Sequence, residues 1–348
     1  MPFITARHWP TIAVLLASLI ASVLVAAPSA QASPVPPAAA SLPAWIDEAS
    51  GLARSLRHPE LLWTHNDNIN HPGSAQRITP FLYGIGPDGQ QHISLELTGI
   101  IQRDWESIEC ALVDGREMLI VADSGDNRDS WPDYVLWFIP EPETLPVTGK
   151  AQAEPEALLR YRYADGPADT EAMTVDPASD QILLLSKREK PPRLHALPLS
   201  EREPFPPADG RNEHQCLAEA AIHEARLIGS MGGLVPADPI ARLLAPLTNL
   251  PTGMALSTDG QLLAVLTYST LYFFHHKAEK GWAETIRRPI ASRSLPRIDQ
   301  WEGVAFSSDG RYVTIVREGV GDGAMLHLAV PKAARAAPTK QGQHQPRP

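Results

Sequence analysis

The chain has 348 residues, of which 43% are hydrophobic, with 34 prolines and 23 glycines. That composition suits a turn-rich globular protein rather than a long-helix one. Its formal charge is −10, from 30 Lys and Arg against 40 Asp and Glu. Setting aside Arg7 and the four bases after residue 331 leaves 25 basic against 40 acidic residues, a net of −15. Such a body repels phosphate backbones, which excludes nucleic acid as an expected partner.

Residues 1–32 read as a signal peptide. Arg7 and His8 give the positive start, Ile12 to Ala26 the apolar run, and Ala30-Gln31-Ala32 the small-residue cleavage site. The run is short for a membrane span, which needs about 20 apolar residues. The expected mature chain is therefore exported, periplasmic or secreted, and does not insert in a membrane. Residues 33–41 are rich in Pro and Ala and read as a flexible linker.

From there the chain repeats itself. Ser50-Gly51-Leu52, Glu106-Ser107-Ile108, Glu171-Ala172-Met173, Thr252-Gly253-Met254 and Glu302-Gly303-Val304 each place a polar residue, a small one and a large apolar one in order. A second apolar run ends 14 to 16 residues later, at Thr64, Ala122, Ser186, Thr267 and Arg317. Asp114-Gly115, Asp259-Gly260 and Asp309-Gly310 lie between the two runs and mark hairpins. Third strands follow near Phe81–Ile85, Tyr134–Phe138, Arg193–Leu197, Leu271–Phe274 and Met325–Leu328, and a fourth is visible at His92–Leu97 and Leu158–Tyr163. Four-stranded units recurring at intervals of 56, 65, 81 and 50 residues predict an all-β propeller over residues 42–331. Five blades are favoured, with six the alternative. The long third interval is read as an insertion in the third blade, over residues 201–250, with a short helix near Ile240 to Leu244. The last unit lacks a fourth strand, which the stretch around Leu42 to Ile46 is placed to supply. Residues 332–348 read as a disordered basic tail. Cys110 and Cys216 either pair or stay as separate buried thiols.

A propeller brings the start of each first strand and the end of each second strand to the same channel mouth. Glu106, Glu171 and Glu302 are the candidate catalytic or metal-binding carboxylates there. Glu48, Asn66, Asp67, Asp104, Asp123, Asp126, Lys187, Arg188 and Glu318 are the candidate ligand-binding residues around them. Buried carboxylates so close must hold protons or find a counter-charge. An oxygen-rich set of Glu106, Glu171, Glu302 and Asp123 suits a hard cation such as Ca²⁺. Asp123 to Asp129 is loosely like a calcium loop, without the usual spacing. The competing reading is that the glutamates cap backbone N–H groups of the next blade.

Trp63-Thr64-His65-Asn66-Asp67, Asp104-Trp105-Glu106, Ala122-Asp123-Ser124-Gly125-Asp126-Asn127, Asp169-Thr170-Glu171 and Trp301-Glu302-Gly303 resemble a family of uncharacterised exported bacterial β-propeller proteins. More distantly they are similar to the phytase-like and SdiA-regulated propellers. The resemblance implies the fold and leaves the activity open. Ser107 and Glu109 depart from the family pattern, which has an acidic and a small apolar residue there. Three functions follow as expectations: a module binding a small molecule, cation or protein at the mouth; a metal-assisted hydrolase of a phosphoester, lactone or glycoside; or a structural scaffold.

Overall fold

The computed structural model describes residues 37–67, 79–206, 213–276, 279–296, 298–319 and 321–335. The signal-peptide expectation and most of the basic-tail expectation fall outside the described residues. The tail's first residues, Lys332–Arg335, form a turn of helix.

Strands group in fours along the chain. The first unit is Ala49–Arg54, Leu62–Asn66, Phe81–Ile85 and Gln91–Leu97, and the second Trp105–Val113, Arg116–Asp123, Tyr134–Pro140 and Ala157–Tyr163. The third is Thr170–Asp176, Gln181–Ser186, Arg193–Pro198 and Ile222–Ser230, and the fourth Pro251–Leu256, Leu262–Thr267, Thr270–His275 and Ala291–Ser294. Trp301–Phe306, Tyr312–Arg317 and Gly321–Ala329 make the fifth unit, which Ala39–Leu42 completes. Within each unit neighbouring strands are antiparallel, so tight turns suffice to join most of them. At the Asp114-Gly115 turn both residues have positive φ, 50° and 78°, the twist that a two-residue hairpin demands.

The alternating side chains of these strands enter two different cores. In Arg116–Asp123, Leu119 and Val121 pack towards the first unit while Ile120 and Ala122 pack towards the third. Five apolar clusters result, each between two consecutive units, and the last joins Leu42, Ile46 and Leu52 to Val316 and Met325. No unit buries both its faces alone, so the stack is stable only as a closed set. The innermost strands contact one another in a ring that runs from the first unit through the fifth and back to the first. This is a β-propeller. Trp105 and Trp301 are fully buried packing residues.

Three additions depart from the repeat. Among the described residues, 201–206 and 213–250 form no separate unit: they carry the third unit's fourth strand, Ile222–Ser230, and a helix, Pro239–Thr248. The first half of Ile222–Ser230 also pairs in parallel with Ala157–Tyr163, which ties the second and third units at their outer edges. The closing strand begins at Ala39, so residues 39–41, read as linker, belong to the ring. Cys110 and Cys216 are separate buried thiols. Among the described residues no helix is long and apolar enough to cross a membrane.

Candidate functional site

The innermost strands share one irregularity, and it builds the site. Trp105 pairs with Asp123 and Ser107 with Ala122, so Glu106 is an extra residue in the ladder. Glu171, Thr252 and Glu302 are the extra residues at the same point in their own units. In the first unit the shift falls between Ser50 and Ala53, where Gly51 has φ 69°. A β-bulge bends the strand and turns the inserted side chain out of its alternating pattern. Here it delivers the repeat's polar residue to the channel mouth.

The small residue that follows has its own cause. A Cβ on Gly303 would lie 2.7 Å from the Gly51 carbonyl carbon, and one on Gly253 would lie 2.8 Å from the Glu302 carbonyl oxygen. Adjacent innermost strands therefore approach closest beside each bulge. Hydroxyls tie them there: Ser50 Oγ donates to the Glu106 carbonyl at 3.1 Å, and Thr252 Oγ1 to the Trp301 carbonyl at 2.5 Å. Among the described residues the three glutamates do not cap backbone N–H groups of the next unit. That tying role falls to the hydroxyls.

Instead the glutamates converge. Oxygens of Asp67, Asp104 and Glu106 lie within 4.8 Å of one another, as do those of Glu106, Asp169 and Glu171. Glu302 faces Glu171 and Lys187. The Lys187 ammonium donates to Glu171 Oε1 and sits 5.3 Å from the centre of the Tyr268 ring. Asp104, Glu106, Glu171, Glu302 and Lys187 are all buried, the most accessible of them, Lys187, being 7% exposed.

Burial dominates the electrostatics. It pushes Glu171 up to about 7 although Lys187 pulls the other way. Burial, with the neighbouring charge of Asp67, pushes Asp104 up to about 8. Glu106 and Glu302 stand well above the carboxylate range, from burial and then the charge of Glu171. Lys187 is held charged against its own burial by Glu171 and Glu302. One lysine does not answer the whole set. Asp67 Oδ1, Asp104 Oδ1, Glu171 Oε2 and Glu302 Oε2 are buried and receive no N–H or alcohol donor; instead carboxyl meets carboxyl, Asp67 with Asp104 and Glu171 with Glu302.

The other expected site residues divide. Asp67 belongs to the cluster. Glu48 is exposed and Glu318 half-buried at its rim, the latter accepting from Gln300 at 2.5 Å. Arg188 bonds Asp169 Oδ2 at 2.6 Å and holds it in place. Asn66 donates to the Trp45 carbonyl at 2.8 Å, while its Oδ1 is unpartnered. The neighbouring His65 is a neutral packing residue, lowered to about 4 by burial and edge-on to Trp105.

Asp123 and Asp126 each hold internal hydrogen bonds. Asp123 accepts from the Arg103 and Asp104 N–H groups at 3.2 and 2.9 Å and pairs with the Arg103 guanidinium. It shapes the turn that presents Asp104, and its oxygens are occupied. Asp126 accepts from the N–H groups of Ser130 and Trp131 and from the Tyr134 hydroxyl, each at 2.8 Å. Asp123 to Asp129 is thus a turn braced by its own aspartates. Two contributors were not singled out from the sequence. Asp169 completes the second carboxylate trio, and Gly125 lies so close that a Cβ would sit 2.5 Å from Glu106 Oε1.

No protein-family model and no curated protein matches the chain. Among solved structures it is similar to a periplasmic gluconolactonase of Pseudomonas aeruginosa, at 14% identity over 81% of this chain and 88% of that one, with a TM-score of 0.39. It is also similar to a β-propeller domain (Swd1) from Myceliophteria thermophila, at 11% identity over 81% and 84%, with a TM-score of 0.37. The WD40 repeats of RRP9 give 12% identity over 81% and 67%, with a TM-score of 0.38. The propeller assignment rests on the closed ring of innermost strands. Fold and site together define a β-propeller whose bulged innermost strands gather buried carboxylates around one lysine.

Proposed function

We propose that this propeller is an exported binding module whose mouth holds a hard divalent cation, Ca²⁺ first, and through it a small ligand or partner. Asp67, Asp104 and Glu106 would be the primary ligands, with Asp169 and Glu171 beside them. The observation that carries the reading is the set of buried carboxyls packed against one another, with two oxygens of the Asp67–Asp104–Glu106 trio receiving no N–H or alcohol donor. Leaving such groups unpaired costs about 1–3 kcal/mol each or more for a charge, and a cation removes that cost. Gly125 leaves the space that a larger residue would fill. Export is supported by the pattern of residues 1–32.

The test is thermal unfolding after chelation, with and without added Ca²⁺. At a free concentration about 100 times Kd, a cation that binds only the folded chain adds about 2.7 kcal/mol. Asp104→Asn and Glu106→Gln should abolish the rise in Tm. An unchanged Tm in the unsubstituted protein would refute the cation site.

A second reading is a metal-assisted hydrolase. Glu171 near neutrality beside a permanently charged Lys187 favours it, because a carboxylate poised there serves as a general base. Oxygens of Glu106 and Glu171 within 4.8 Å are closer than the roughly 6.5–9.5 Å of an inverting glycosidase pair. Turnover of phosphoester, lactone or aryl-glycoside substrates that is lost in Glu171→Gln would establish it.

A further inference from the structure

A second site lies away from the mouth, on the outer strands of the first unit. Lys150–Ala153 leaves the second unit's loop and adds in parallel to Gln91–Leu97. This fifth strand widens the sheet and sets two rows of side chains in register. Phe81, Glu96 and Gln152 form one row, and Tyr83, Ser94 and Lys150 the other. Because strand side chains alternate between faces, both rows share one face. That face lines an open groove of about 790 Å³, closed on one side by Trp45.

The groove has a definite chemistry. Phe81 and Tyr83 stand nearly parallel, 18° apart, with centroids 6.2 Å apart. The Trp45 indole is 59% exposed, yet its orientation is fixed because Nε1 donates to Gln91 Oε1 at 2.6 Å. Gln91 in turn donates to Ser94 Oγ at 2.8 Å, and Gln152 donates to Glu96 Oε2 at 3.0 Å. Each side-chain amide keeps a second N–H for a ligand. Aromatic faces beside paired amides offer an apolar surface with donors and acceptors at its rim. Glu96 and Lys150 balance each other, so the groove favours neither an anion nor a cation. Wholly apolar ligands would strand the polar rim.

We infer that this groove binds a neutral oligosaccharide, whose pyranose rings lay their C–H faces on Trp45, Phe81 and Tyr83 while their hydroxyls bond Gln91, Glu96 and Gln152. The site is separate from the carboxylate mouth and does not depend on a cation.

Calorimetric titration of the mature chain in EDTA, with cellohexaose, laminarihexaose and chitohexaose as probes, tests the inference. At least one probe should bind saturably. Trp45→Ala should weaken it by about tenfold or more, as loss of an aromatic anchor does. Gln152→Ala should weaken it by a smaller factor, and replacing EDTA with Ca²⁺ should leave it unchanged. Trp45 and Gln152 are exposed, so both variants should keep the parent's Tm. Failure of all three sugars to bind, equal binding by Trp45→Ala, or displacement of the sugar by poly-Glu or poly-Lys would overturn the assignment.

Discussion

The two ends of the same innermost strand treat a buried glutamate in opposite ways. Glu106, at the bulge, accepts from Ser50 Oγ at 3.3 Å and otherwise converges with the carboxyls of Asp104, Asp67 and Glu171. Glu109, three residues on, accepts from Thr174 Oγ1 at 2.7 Å and from the Cys110 N–H at 3.0 Å. Burial raises both, Glu109 to about 7. A raised pKa is therefore common to both ends and distinguishes nothing. What sets the mouth apart is several carboxylates turned inward by bulges, with one lysine and no backbone donors to satisfy them. The far end is finished structure, while on the function proposed above a bound cation would complete the mouth.

The largest effect expected from this contrast belongs to Lys187→Met. Removing one partner of a buried pair leaves its mate uncompensated, at about 3–5 kcal/mol. Denaturant unfolding at pH 8 should show that loss, and Ca²⁺ should recover part of it. Equal stability with and without Lys187 would mean that the carboxylates are not charged there.

Next comes the pH dependence. Glu171 and Asp104 titrate in the folded chain at about 7 and about 8, above their ordinary 4.5 and 3.8. The folded chain thus keeps protons that the unfolded chain has lost. Their stabilisation is full below about pH 4 and is lost as pH rises through about 8. The chelated protein should lose several degrees of Tm across that window, and saturating Ca²⁺ should flatten the fall.

Gly125→Ala should cost about 1–3 kcal/mol by overpacking and should weaken Ca²⁺-dependent stabilisation in the same thermal assay. Glu109→Gln sharpens the comparison from the other end. Both its hydrogen bonds can be remade by an amide, so stability should change by less than about 1 kcal/mol. Its response to Ca²⁺ should match the parent's, and a lost response would erase the distinction between the two ends.

Much of the propeller was legible in the sequence because three strands of each unit bury both faces, so their apolar runs recur at a fixed distance. The outer strands were not. Lys150–Ala153 is too short and too polar to stand out, Ile222–Ser230 is largely exposed though paired on both sides, and their partners are chosen by tertiary packing. Glu106, Glu171 and Glu302 could be found by equivalence, but not the bulges that aim them, because a bulge is a property of pairing and not of one strand. Asp123 and Asp126 could be placed but not assigned, for a related reason. An aspartate in a tight turn bonds N–H groups beside it as readily as a ligand, and sequence does not separate the two. Asp169 was overlooked because Arg188 holds it in place across the loop, a contact made only in the folded chain.

Anomalous scattering from crystals soaked in Ca²⁺ tests the central claim most directly. The account predicts one strong peak per chain between Asp67, Asp104 and Glu106, retained in Glu109→Gln and lost in Asp104→Asn. A mouth without such a peak, or a peak that survives Asp104→Asn unchanged, would contradict it.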